Sequence, residues 1–136
     1  MGYGVCEIEG PEGAIDLAKY RQLRDYVEDE VAKGNTPKGF LIGNGYRNHP
    51  LDADERKNQF TQHALRNGKK LGFCLLPTSE LFKAVCAVLQ TSSEDVKREI
   101  RQSLFDCVGA WSFDGGARTE LVTDGPGSGE QAGTAK

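Results

Sequence analysis

The chain has 136 residues, 38% hydrophobic and 27% charged, which suffices for one hydrophobic core and argues against several. Seventeen Lys+Arg against twenty Asp+Glu leave a net charge of −3, excluding a polybasic protein that holds nucleic acid by bulk charge. No apolar run approaches the roughly 18 residues needed to cross a bilayer, and Met1-Gly2-Tyr3-Gly4 lacks the regions of a signal peptide, so a cytoplasmic protein is expected. Myristoylation at Gly2 is discounted because Cys6 stands where that pattern wants Ser or Thr. Cys6, Cys74, Cys86 and Cys107 are widely spaced, form no C-x-x-C pair and have only His49 and His63 as further soft ligands. They read as small buried hydrophobes rather than as a zinc site.

Val5-Cys6-Glu7-Ile8-Glu9 alternates with period two, predicting a strand with Glu7 and Glu9 on one face and Cys6 and Ile8 on the other. From Asp16, a candidate cap, Tyr20, Leu23, Val27 and Val31 fall at helical spacing, and Gly34 with Pro37 supplies the stop. Gly39-Phe40-Leu41-Ile42-Gly43 is a continuous apolar run, as in a strand covered on both faces. Asn44 to Asp54 is a polar connection leading to a helical segment around Phe60, Ala64 and Leu65 that should end near Gly68. Leu71 to Leu76 predicts a third strand. Thr78 is placed to cap a helix with Leu81, Phe82, Val85, Val88 and Leu89, and Ser92-Ser93-Glu94-Asp95 opens another with Val96, Ile100 and Leu104. Ala110 to Phe113 suits a short edge strand. The 22 residues after Asp114 hold six glycines and predict a disordered tail. One domain over 1–114 follows, with Phe60, Phe73 and Phe82 as core residues. The alternation of strands and helices is that of an α/β fold with parallel crossovers.

Phosphate-loop, dinucleotide, G-x-S-x-G and H-E-x-x-H patterns are all absent. The remaining constellation is Glu7 and Glu9 on one strand face, followed by Lys19, Gln22 and Tyr26 on one side of the next helix. Separately, Tyr46 to Phe73 carries six Lys/Arg (Arg47, Arg56, Lys57, Arg66, Lys69, Lys70) against three acids, a local +3 that suits DNA phosphates as well as a solvated helix. His49 reads as a turn residue and His63 as an exposed helix residue.

In the order Glu7-Ile8-Glu9-Gly10, Gln22-x-x-x-Tyr26, Lys38-Gly39-Phe40-Leu41-Ile42-Gly43-Asn44, Asp54-Glu55-Arg56, Gln59-Phe60-Thr61, Phe73 to Thr78 and Glu80-Leu81-Phe82, the chain resembles the PD-(D/E)XK nuclease superfamily from about Val5 to Leu89. The resemblance implies a restriction-endonuclease-like α/β core, a small mainly parallel sheet flanked by helices and lacking the upstream strands. It also implies hydrolysis of DNA phosphodiesters with Mg²⁺ or Mn²⁺, with Glu7 as a metal ligand and Gln22 and Tyr26 lining the phosphate path. Two departures bear on that activity. Glu9 stands where the family has lysine, reversing a charge worth ~4 kcal/mol at ~4 Å and an effective dielectric of ~20. Glu9 would then serve as a further metal ligand, with Lys19 supplying the positive charge. The strand carrying the family's aspartate is missing, so the expected site is incomplete and inactive as the chain stands. The alternatives are a non-catalytic DNA- or protein-binding module on the same scaffold, or a truncated gene product. An exposed sheet edge would be covered by another copy or a partner chain.

Overall fold

The computed structural model describes residues 2–114, with the side chains of Ala18 and Lys19 outside that description. The segment expected to be a disordered tail, 115–136, also lies outside it. The elements are β1 (Gly4–Glu9), α1 (Ala18–Ala32), β2 (Lys38–Gly43), a 3₁₀ turn (Asp54–Asn58), α2 (Gln62–Leu71), β3 (Cys74–Pro77), α3 (Thr78–Gln90), α4 (Glu94–Asp106) and β4 (Gly109–Ala110). The four strands form one sheet in the order β1-β2-β3-β4, and every pair is parallel. The fold class is therefore α/β with a small parallel sheet. No helix among the described residues is long and apolar enough to cross a membrane.

Register divides the core. Glu7, Leu41, Leu75 and Ala110 form one row across the sheet, and residues paired in a parallel register share a face. Leu41 and Leu75 are fully buried with Tyr20 and Leu23 of α1, Ala64 of α2, Ile15, Phe60 and Phe73. The opposite face carries Phe40, Ile42, Cys74 and Leu76, packed against Ala84 of α3, Ile100 of α4 and Trp111. Thus α1 and α2 cover one face and α3 and α4 the other. Since the strand order runs in one direction throughout, the β2-to-β3 and β3-to-β4 crossovers are of opposite hand, and one is the rarer left-handed form.

Several helix boundaries differ from the sequence expectation for identifiable reasons. Helix α2 does not stop at Gly68, because Leu75 Cδ1 occupies the space a β-carbon there would fill; the glycine is a packing requirement. The stop is Gly72, left-handed at φ +69. Asp16 does not cap α1, whose preceding residue is Leu17 with no side-chain cap. Its Oδ1 instead accepts a hydrogen bond from Thr61 Oγ1 at 2.8 Å, and Thr61 Oγ1 accepts the Ala64 N–H at 3.1 Å to cap α2. Thr78 is the first residue of α3 rather than its cap. Ser93 caps α4 by accepting the Val96 N–H. Strand β4 starts one residue before the expected Ala110–Phe113 and ends three residues earlier, at Ala110.

Two burial expectations are corrected. Phe82 is 69% exposed, because the inward side of α3 is given by Leu81, Ala84 and Val88 instead. Cys6 is exposed, since β1 is an edge strand whose Cys6/Ile8 face extends beyond the cover of α3 and α4.

Candidate functional site

Strand β1 alternates as its sequence predicts, but the sides are used in the reverse of the usual sense. Ile8 is 67% exposed, whereas Val5 packs into the core beneath α1 and Glu7 and Glu9 on the same face are half-buried. Glu7 shares its row with the fully buried Leu41 and Leu75, and Glu9 is in register with Gly43. A carboxylate is thus placed in a row whose next two members are leucines, at the open edge of the sheet.

The helix above contributes Gln22 and Tyr26. Gln22 Nε2 donates to Tyr26 Oη at 2.7 Å; Gln22 is half-buried and Tyr26 exposed. Tyr26 borders a hollow together with Val5, Asp29, Glu30 and Lys33, which fixes this end of α1 over the start of β1. Glu7 and Glu9 lie further along that strand, and α1 runs back across it, so Gln22 is on the Glu7 side of Tyr26. Lys19 lies in the first turn of α1, and its side chain falls outside the description.

The same layer is tied down at its other end by Glu30. Its carboxylate accepts from Lys33 Nζ (2.7 Å), Tyr3 Oη (2.6 Å) and Asn35 Nδ2 (2.9 Å). The Lys33 bond, then those of Tyr3 and Asn35, hold its pKa down to about 2. Tyr3, just before β1, is thereby fastened to the last turn of α1.

Divalent cations of the magnesium type take about six oxygen donors in near-octahedral geometry. Among the described residues no group of three or more His, Cys, Asp or Glu side chains converges on one point. Glu7 and Glu9 alone would leave most of that shell to water, so the described residues do not make a divalent-cation centre by themselves.

Most other residues that carry the nuclease resemblance are braces. Arg56 donates to the carbonyls of Tyr46 (2.9 Å) and His49 (3.2 Å) and to Asn44 Oδ1 (2.7 Å), fixing the connection after β2. Gln59 is 4% exposed, and its Oε1 accepts the Gly45 N–H at 2.9 Å. Ile15 and Phe60 form a parallel bridge, with the Ile15 N–H donating to Gln59 O and the Thr61 N–H to Ile15 O. Within the basic segment, Arg47 lies 3.7 Å from Glu12 and Lys57 pairs with Asp54. Arg66, Lys69 and Lys70 remain exposed on α2, with no ion-pair partner among the described residues.

A cavity of about 920 Å³ opens at the carboxyl ends of β2, β3 and β4, between Asn44, Gln59, Pro77-Thr78-Ser79, Phe82 and Trp111. Sequence reasoning missed it, because its walls come from five separated segments. The available signal was Pro77-Thr78-Ser79, a strand passing directly into a helix. Compared with protein-family models, curated proteins and solved structures, the chain matches none.

Proposed function

We propose that this chain is a PD-(D/E)XK-like nuclease module directed at the DNA phosphodiester backbone. Its described residues do not complete the metal centre, so alone it holds DNA without cutting it. The observation that carries this reading is the placement of Glu7 and Glu9. A solvated strand face would put its carboxylates outward and its isoleucine inward; here Glu7 lies in the row of Leu41 and Leu75 on the face that α1 covers, Glu9 follows on the same face beside Gly43, and Ile8 is outside. A bound divalent cation would supply charge neutralisation and an acidified water. This chain's part is to present Glu7 and Glu9 and to offer the Gln22 and Tyr26 polar groups along the backbone path.

The second reading, a binding module that never hydrolyses, is favoured by the lack of a third converging ligand among the described residues. In either case Arg66, Lys69 and Lys70 on α2 supply phosphate contacts. Supercoiled plasmid incubated with the protein in magnesium or manganese, alongside anisotropy of a labelled duplex, tests the reading. Binding without nicking is the expected result. Nicking lost in Glu7→Ala would show that the acids suffice and overturn the incomplete centre. Absence of both binding and nicking would overturn the DNA-directed reading altogether.

A further inference from the structure

All four cysteines are free thiols, but they are not equivalently placed. Cys6, Phe40, Cys74 and Gly109 form one row across the sheet, on the face that α3 and α4 cover. Phe40 keeps Cys6 two strand spacings from Cys74, about 10 Å, too far for a disulfide, whose Cα atoms lie about 4.4–6.8 Å apart. Cys107 is placed differently. It ends α4 two residues before Gly109, the register partner of Cys74, and the left-handed turn at Gly109 (φ +92) lets Cys107 Sγ donate to Gly109 O at 3.3 Å. Cys74 is fully buried and Cys107 half-buried, and both pack in the cluster that holds Leu76, Ile100 and Trp111. There the Cys74 thiol hydrogen-bonds to the Cys107 sulfur, although 33 positions separate the two in the sequence.

That contact makes the two thiols unequal. The hydrogen bond from Cys74 favours the Cys107 thiolate and, with the charge of Lys38, outweighs burial and holds the Cys107 thiol below its ordinary pKa. The same bond, then burial and the charge on Cys107, push Cys74 up against the smaller opposing effect of Lys38. Lys38 is held in place by donating from Nζ to Gly72 O at 2.8 Å. Cys107 is also the more open of the pair to solvent, so it meets a reagent first, with Cys74 directly behind it. Cysteines that respond to oxidants combine a favoured, reachable thiolate with a second sulfur in range to resolve the first adduct.

We propose that Cys74 and Cys107 are a redox pair, converted to an intramolecular disulfide by a low-molecular-weight disulfide such as oxidised glutathione. Cys107, as thiolate, attacks one sulfur of the reagent; a mixed disulfide forms at its Sγ, and the other half of the reagent leaves as a thiolate and takes a proton. Cys74 then gives up its proton and attacks Cys107 Sγ, expelling the second reagent thiol. Two protein thiols lose two electrons, and one reagent disulfide is reduced to two thiols. The new bond ties β3 to the junction of α4 and β4, where the strand pairs are Cys74 with Gly109 and Leu75 with Ala110. Closing the chain between positions 74 and 107 restricts the unfolded state and stabilises this end of the sheet. The pair uses no residue of β1 or α1 and does not rest on the nuclease reading.

The whole folded chain, incubated with oxidised glutathione, quenched with N-ethylmaleimide in urea and digested with trypsin, tests it by mass spectrometry. The expected product joins peptide 71–83 to peptide 102–118, each of which holds one cysteine, and dithiothreitol releases it. The oxidised protein should melt at least about 5 °C above the reduced protein. The Trp111 N–H, which donates to Leu75 O at 2.9 Å, should exchange at least about tenfold more slowly after oxidation. Cys107→Ser and Cys107→Ala should each remove both the linked peptide and the rise in Tm on oxidation. A lasting glutathione adduct on Cys107 with Cys74 still alkylated, a link through Cys6 or Cys86 instead, or an oxidised Tm no higher than the reduced one would each overturn the proposal.

Discussion

Tyr20 shows how one atom can set a measurable stability. Its ring is 3% exposed and stacks 5.5 Å from Phe73, while its hydroxyl is enclosed without a hydrogen-bond partner among the described residues. An enclosed donor of this kind costs about 1–3 kcal/mol, so Tyr20→Phe should stabilise the fold by about 1 kcal/mol, read as a higher urea midpoint. Burial pushes the phenol up to about 12 from 10.0. A folded pKa above the unfolded one contributes stability that is intact below pH 10.0 and disappears as pH rises to about 12. The wild type should therefore lose stability across that window, and Tyr20→Phe should lack that part of the loss. Glu30 acts in the opposite direction: its pKa is held at about 2, below the ordinary 4.5, so the tie between Tyr3 and α1 persists above 4.5 and is released as pH falls towards about 2. Loss of Tyr3 order, followed by NMR through acid titration, checks this. None of these positions was distinguishable in the sequence, because a periodic tyrosine looks the same whether or not its hydroxyl finds a partner.

At the level of elements, the glycines and the loop braces carry the architecture. An added β-carbon at Gly39 would stand 2.5 Å from Phe73 Cδ1, and one at Gly43 would meet Ile15 Cδ1. Gly43→Ala should destabilise by about 1–3 kcal/mol through overpacking, shown by a lower urea midpoint with an unchanged slope. Thr61→Ala removes both the α2 cap and the link to Asp16, and should cost about 0.5–2 kcal/mol in the same measurement. The strands and helices were legible because their periodicities are local: Val5 to Glu9 alternates, and Gly39 to Gly43 is apolar throughout. The bridge between Ile15 and Phe60 was not, since it joins residues far apart in the chain. Nor was the inward side of α3, where Leu81 and Phe82 are equally hydrophobic and only the position of β3 decides between them.

For the whole molecule, the sheet is least covered in two places, and the proposed function is placed at the first of them. Its β1 edge presents Glu7 and Glu9 beneath α1, and the carboxyl ends of β2 and β3 open onto a crevice of about 920 Å³. The acidic pair was visible from the alternation of β1, and Gln22 and Tyr26 from their helical spacing. The crevice was hidden because its form depends on the two sides to which the chain departs after β2 and β3. With a net charge of −3, the proposed DNA contacts would need a local patch, and of the six basic residues of 46–73 Arg66, Lys69 and Lys70 lie exposed on α2 with no ion-pair partner among the described residues. The most direct test of a DNA-directed module is the salt dependence of its affinity for a labelled duplex, compared with that of the Arg66→Gln, Lys69→Gln, Lys70→Gln triple variant. Each neutralised phosphate contributes a slope of about −0.9 in log affinity against log salt, so the variant should bind more weakly with a slope shallower by about 2.7. Equal affinity and equal slope in the two proteins, or no binding at low salt, would contradict the account.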